Sequence, residues 1–250
     1  TMRPADRFRR ACPQMKDTHM RKAIIIGVGP ERGLGALLCE RFAAEGLHVY
    51  VAGRTAANID AVAESIRRAG GQASAVVTDA TDEVQVAALF DQAGSDIDLA
   101  IYNAGNNTPG RILEITAAYF EESWRIVCFG GFLFGREALR RMVPAGKGTL
   151  LFTGASASLR GRAGFGAFNS SKAALRNLAQ AMAKEYAPDG IHVGHVVIDG
   201  PIRGDKFITR RPEIAAQIGD DAMISIEGIV DAFVYLHRQP PGAWSFEVDV

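Results

Sequence analysis

Three glycines, Gly29, Gly33 and Gly35, stand between the apolar run Ile24-Ile25-Ile26 and an alanine- and leucine-rich stretch of helical length. A strand that runs into a glycine-rich turn and then a helix leaves backbone amides free at the helix N-terminus, a seat for a phosphate. Here Gly29 would permit the tight turn, Gly33 would let the backbone approach a pyrophosphate, and Gly35 would let helix and strand pack closely. No lysine followed by Ser or Thr closes the loop, so the pattern is not that of a nucleoside triphosphatase. The next apolar run ends at Ala52-Gly53-Arg54 without the acid that usually meets an unphosphorylated ribose. Arg54, together with Arg32 inside the loop, offers charge-assisted bonds to a 2′-phosphate instead, which favours NADP over NAD.

These residues need a scaffold that brings strand ends together. Short β-branched runs at 23–28, 48–52, 73–78, 99–102, 149–153, 192–198 and 244–248 read as strands. Stretches 35–45, 58–68 and 84–93 carry apolar residues at three- and four-residue spacing, as crossover helices require. Longer helices are expected at 119–142 and 165–186, the second stopping at Pro188-Asp189-Gly190. This alternation predicts a single α/β domain over residues 21–250: a Rossmann-type, doubly wound parallel sheet of about seven strands with helices on both faces. Residues 1–20 carry Arg3, Arg7, Arg9, Arg10 and Lys16 without an apolar stretch; they read as a disordered tail, with a transit peptide or an upstream start codon as the other accounts.

The 28 basic residues equal the 28 acidic ones, which removes any global electrostatic case for a nucleic acid or an anionic membrane as partner. Cys12, Cys39 and Cys128 lie far apart and suggest neither a disulfide framework nor a zinc site, so a reducing, cytoplasmic setting is expected. His192 and His195 are three apart on a strand, hence on opposite faces, and no metal site is assigned. Phe129, Phe132 and Phe134, beside Trp124, read as core or subunit-interface packing.

Several motifs recur in the order and spacing of one family. Gly29-x-x-x-Gly33-x-Gly35 has Val28 where a threonine is common, Asp79 follows the third strand, and Asn103-Ala104-Gly105 follows the fourth. Phe168-Asn169-Ser170-Ser171-Lys172 matches a Y-x-x-x-K motif except at the tyrosine, and Asp199-Gly200-Pro201-Ile202 sits where P-G-x-I is usual. Beyond the tail, the chain resembles the short-chain dehydrogenase/reductase family, as an atypical member with Phe168 in the tyrosine position. The resemblance implies a cofactor set of Gly29, Arg32, Gly33, Leu34, Gly35, Arg54, Asp79, Asn103, Ala104, Gly105, Lys172 and Ile202. Asp79 would contact adenine, Lys172 the nicotinamide ribose, and the Ile202 backbone the carboxamide. It also implies a small-molecule substrate, a homodimer or homotetramer, and a substrate lid near residues 203–220, where an ordinary surface helix is an equal reading.

In the family the tyrosine is the general acid or base, a serine binds the substrate oxygen and an asparagine supports a proton relay. Phe168 has no hydroxyl. Counting along the segments puts Ala155 at the serine site and Cys128 at the asparagine site, so Lys172 alone remains. Ser156, Ser158, Ser170, Asn169 and His195 are the candidate replacement acids, Ser156 first because it adjoins the end of the fifth strand. The catalytic set is therefore read as Lys172, Ser156 and Phe168. The leading expectation is an NADP(H)-dependent oxidoreductase acting on a carbonyl or alcohol; a retired NADP(H)-binding sensor and a non-redox isomerase, dehydratase or lyase are the alternatives.

Overall fold

A computed structural model describes residues 20–30, 32–204, 209, 212–218 and 223–250; residues 1–19, and residues 205–208, 210, 211, 219 and 220 of the expected lid, lie outside them. Seven parallel strands form one sheet: β1 (Lys22–Ile26), β2 (His48–Gly53), β3 (Gln72–Val77), β4 (Ile97–Tyr102), β5 (Gly148–Thr153), β6 (Ile191–Val197) and β7 (Glu247–Asp249). Their spatial order is β3-β2-β1-β4-β5-β6-β7. The direction of winding reverses between β1 and β4, and in open α/β sheets that reversal opens a crevice at the strands' C-terminal ends.

Both faces of the sheet are covered, which is why its central strands β1, β2, β4 and β5 are buried almost end to end rather than in alternation. Ile25 packs into one core cluster, with α1 (Leu34–Ala44), α2 (Ala56–Arg68) and a helix over Ile226–His237. Its neighbours Ile24 and Ile26 enter the other, with α3 (Glu83–Ala93), the helix Gly130–Met142 and the helix Gly166–Tyr186. All three isoleucines are 0–1 % exposed, so at roughly 1.5–3 kcal/mol each their burial is a large local share of the folding free energy.

The long helix expected at 119–142 is continuous but not uniform: α4 (Ala117–Trp124) passes through a π-helical turn, Arg125–Phe129, into α5 (Gly130–Met142). The Ile126 carbonyl in that turn accepts a hydrogen bond from the buried Tyr102 hydroxyl at the end of β4. π-Turns are frequent at functional sites, and this one carries Cys128. Phe134 is fully buried, whereas Trp124 and Phe132 are exposed and join Phe129 in a stacked stripe flanked by Arg125 and Arg136.

Helix α6 (Gly166–Tyr186) stops close to its expected end. The last strand is displaced from the expected 244–248 to Glu247–Asp249: Trp244 Nε1 and Ser245 N bond back to Gln239, and the first ladder pairing with β6 is His195 with Glu247. Among the described residues β6 is followed by α7 (Pro212–Ile218) and α8 (Ile226–His237); the Ser225 hydroxyl caps α8 by accepting from Gly228 N at 3.2 Å. Among the described residues no helix is long and apolar enough to cross a membrane.

Candidate active site

At the C-terminal end of β1 the backbone turns at Gly27, with φ +87°, rather than at Gly29. The amides of Gly27 and Val28 both donate to the Ala52 carbonyl, at 3.1 and 3.0 Å, so the loop is anchored to β2. A β-carbon at Gly27 would lie 2.4 Å from Ala104 N, whereas one at Gly29 would meet nothing within 4 Å. Gly27 is therefore the glycine the fold needs, and the room at Gly29 faces no protein atom. Gly33 caps α1 with an extended backbone and no side-chain bond, which leaves the first amides, those of Leu34 and Gly35, available to a ligand. Gly35 meets its expected close approach: its β-carbon would lie 3.0 Å from Val28 Cα and 3.1 Å from Asn103 Nδ2.

Arg32 and Arg54 are both exposed, one in the loop and one at the end of β2. Asp79 spends one carboxylate oxygen on Thr81 N and Oγ1, each at 2.8 Å. The Asn103 side chain is fully used within the protein, donating to Gly27 O at 3.2 Å and accepting from Thr153 Oγ1 at 2.9 Å. It ties the ends of β1, β4 and β5 together, a role the sequence motif did not announce.

Next to this tie lies Lys172, 5 % exposed, in the first turns of α6. Its Nζ donates to the Thr153 carbonyl at 2.6 Å, sits 6.0 Å from the Phe168 ring centre, and would be 3.8 Å from a β-carbon at Gly105. Asn103-Ala104-Gly105, the end of β5 and Lys172 thus share one floor, with a phenylalanine at its rim. Burial without a carboxylate partner pushes the Lys172 pKa from 10.5 down to about 8. The folded state binds this proton less tightly than the unfolded one. The cost is therefore fully present below pH 8 and lifts as pH rises towards 10.5. Lys172→Met is expected to raise stability by about 2 kcal/mol at neutral pH, the released penalty less about 1 kcal/mol for the lost hydrogen bond. Urea unfolding at neutral and at high pH checks it: the gain should shrink as Lys172 deprotonates in the wild type.

The structure separates the five candidate replacement acids. Ser158 is buried and accepts from Ala155 N at 3.2 Å, Ser170 donates back to Gly166 O and Ala167 O, and Asn169 donates to Arg162 O at 3.1 Å. His195 is fully buried against Glu247, and its pKa is pushed down to about 4, chiefly by burial. Ser156 is different. It is half-buried at the end of β5, its amide donates to Ile198 O at 3.1 Å, and its hydroxyl helps hold the Asp199 carboxylate in the ionised form. Arg160 also holds Asp199, with contacts of 2.7 and 2.8 Å to the two oxygens. Asp199 and Arg160 were not singled out from sequence, although an acid in place of the usual proline was the available signal. Ala155 presents a methyl group, and burial pushes the Cys128 thiol pKa up. Ile202 forms a bridge with Ile224 that fixes the chain leaving β6.

A doubly wound parallel sheet with a glycine loop at its switch point defines the nucleotide-binding α/β class. The family model described as short chain dehydrogenase matches residues 22–210, and the chain belongs to that family. It is 31% identical over 220 residues to the cis-4-hydroxycyclohexanecarboxylate dehydrogenase of Sinomonas cyclohexanicum, covering 85% of this chain and 88% of the relative. It is 27% identical over 216 residues to a chloroplastic NADPH-dependent aldehyde reductase-like protein of Arabidopsis thaliana, covering 80% of each. Among solved structures, a short-chain dehydrogenase from Rhodopseudomonas palustris superposes with a TM-score of 0.77 at 35% identity, over 92% of this chain and 97% of that one.

Proposed function

We propose that the chain is an NADP(H)-dependent oxidoreductase that interconverts an alcohol and a carbonyl compound, with a catalytic set from which the tyrosine, serine and asparagine are missing. One observation carries this reading: the open space at Gly29, the uncapped start of α1, the exposed Arg54 and the buried Lys172 all stand at the C-terminal ends of β1, β2 and β5. Leu34 and Gly35 amides hold the pyrophosphate, Arg32 and Arg54 the 2′-phosphate, Asp79 the adenine, Asn103-Ala104-Gly105 line the adenosine side, Lys172 holds the nicotinamide ribose and Ile202 the carboxamide. The bound cofactor supplies or accepts the hydride; the protein supplies orientation and the proton.

The proton is the difficulty. With Phe168 at the rim, Ser156 is the hydroxyl left at the end of β5 for this task, with a water as its relay. Beside it Asp199, held ionised by Arg160, accepts a hydrogen bond from the Ser156 hydroxyl and orients it. The names of the Sinomonas relative, a dehydrogenase of a cyclic hydroxy acid, and of the Arabidopsis relative, an aldehyde reductase-like protein, support a small hydroxyl or carbonyl compound as substrate. Cytoplasmic residence and a homodimer or homotetramer paired across the Trp124–Phe129–Phe132 stripe belong to the same reading.

A screen of secondary alcohols, aldehydes and ketones with NADP(H) tests it. Turnover is expected, and Ser156→Ala is expected to lower kcat about 100-fold with cofactor affinity unchanged. Cofactor binding with no turnover on any substrate would instead favour a second reading, a retired enzyme that senses or stores NADP(H). The hydroxyl-free pair Phe168 and Ala155 is the observation behind that alternative.

A further inference from the structure

Behind the floor of the site lies a buried polar chain that the reading above does not use. His195 on β6 is 0 % exposed, and its Nδ1 lies 2.9 Å from Glu247 Oε2 on β7. Glu247 is clamped by Arg176, one helical turn beyond Lys172 on α6, through Nε at 2.6 Å and Nη2 at 2.8 Å. The arginine keeps the carboxylate ionised. A carboxylate can only accept, so Nδ1 carries the imidazole proton and Nε2 is left as a lone pair. That Nε2 is buried and has no protein partner. A buried acceptor without a partner is costly, and its retention calls for a reason.

The ring also occupies a place made for it. A β-carbon at Gly154 would lie 2.3 Å from both Nε2 and Cε1 of His195. Gly154 follows Thr153, whose carbonyl holds Lys172 Nζ. The unpaired Nε2 edge thus faces the residue next to the anchor of Lys172, an ammonium with two further N–H groups. The two are electrically coupled, since the charge on Lys172 opposes protonation of His195. At the far end, the Glu247 and Arg176 side chains are 21 % and 29 % exposed, so the chain reaches solvent along the β7 edge.

We propose that His195 and Glu247 are the positioning pair of Lys172: one enclosed water joins the Lys172 ammonium to His195 Nε2, and Glu247, clamped by Arg176, holds the imidazole in the tautomer that presents this lone pair. This rests on the oxidoreductase reading. Oxidation of an alcohol sends out a hydride with its bonding pair and must release the hydroxyl proton. Lys172 held in this way keeps its charge directed at the site while that proton leaves through Ser156 and water. The charged groups around His195 are Lys172 and Arg176 from α6 and Glu247 from β7, with Asp249 acting on Arg176; His192, of opposite parity on β6, is turned away to Ser245 O.

The test uses cofactor-free protein, so its failure is separate from any failure to bind NADP(H) or to turn over. In protein with ¹³C-labelled lysine ε-carbons and ¹⁵N-labelled histidines, the Lys172 resonance is assigned by its loss in Lys172→Met and followed against pH. The His195 Nε2 resonance of the wild type is expected to be that of an unprotonated, hydrogen-bonded nitrogen and to shift with the midpoint of Lys172. His195→Leu removes the acceptor and should lower the Lys172 midpoint by about one unit, a tenfold change in proton affinity; His195→Gln, which restores an acceptor, should recover most of it. A wild-type Nε2 resonance that does not respond as Lys172 titrates, or an unchanged Lys172 midpoint in His195→Leu, would overturn the proposal.

Discussion

Phe168→Tyr combined with Ala155→Ser is expected to raise kcat by about 100-fold or more, the scale of a positioned acid–base group, while leaving the affinity for NADP(H) within a factor of about two. The geometry makes this reasonable. The Phe168 ring is half-buried with its centre 6.0 Å from Lys172 Nζ, so a para hydroxyl enters the field of a buried ammonium that lowers its pKa. Ala155 is half-buried at the end of β5, beside Ser156. Steady-state rates of the wild type, both single variants and the double variant separate the effects. The two substitutions should be strongly non-additive, because tyrosine and serine address the same substrate oxygen. A double variant no faster than wild type would mean that the present proton route, through Ser156, already limits nothing.

Gly27→Ala is expected to cost about 4 kcal/mol or to prevent folding, the sum of strain at positive φ and a backbone collision. The collision partner is the Ala104 amide at 2.4 Å, part of the main chain linking β4 to the site, and it cannot yield as a flexible side chain would. Gly29→Ala is expected to leave stability within about 0.5 kcal/mol, since nothing lies within 4 Å of the added carbon. Urea unfolding of the two variants distinguishes a glycine that the fold requires from one whose space is reserved for a ligand.

Much of this architecture was legible because a parallel sheet writes itself as uninterrupted apolar runs. Strands β1 to β6 begin and end within two residues of their expected limits. The last strand was not, because its three residues are chosen by a turn in which Gln239 captures Ser245 and Trp244, not by an apolar pattern. Helix α8 carried a readable signal, Ser225 as cap and Ile226, Ile229, Val230 and Phe233 at helical spacing, overshadowed by the charged segment before it. Gly29, Gly33 and Gly35 were visible as a motif, but the left-handed turn falls at Gly27, immediately before the pattern. Asn103 was recognisable by its motif, yet its side chain is spent on strand ends, something only the contacts reveal. His195 and Glu247 are 52 positions apart, and no local spacing rule joins them.

The loop after β1 is where the account stands or falls. Titration calorimetry of the wild type with NADPH and with NADH, alongside Gly29→Ala, tests it most directly. One saturable site per chain is expected, with NADPH bound at least about tenfold more tightly than NADH because of Arg32 and Arg54, and binding weakened at least about tenfold in a Gly29→Ala variant of unchanged stability. No heat with either nucleotide, or equal affinity for both in wild type and variant, would contradict it.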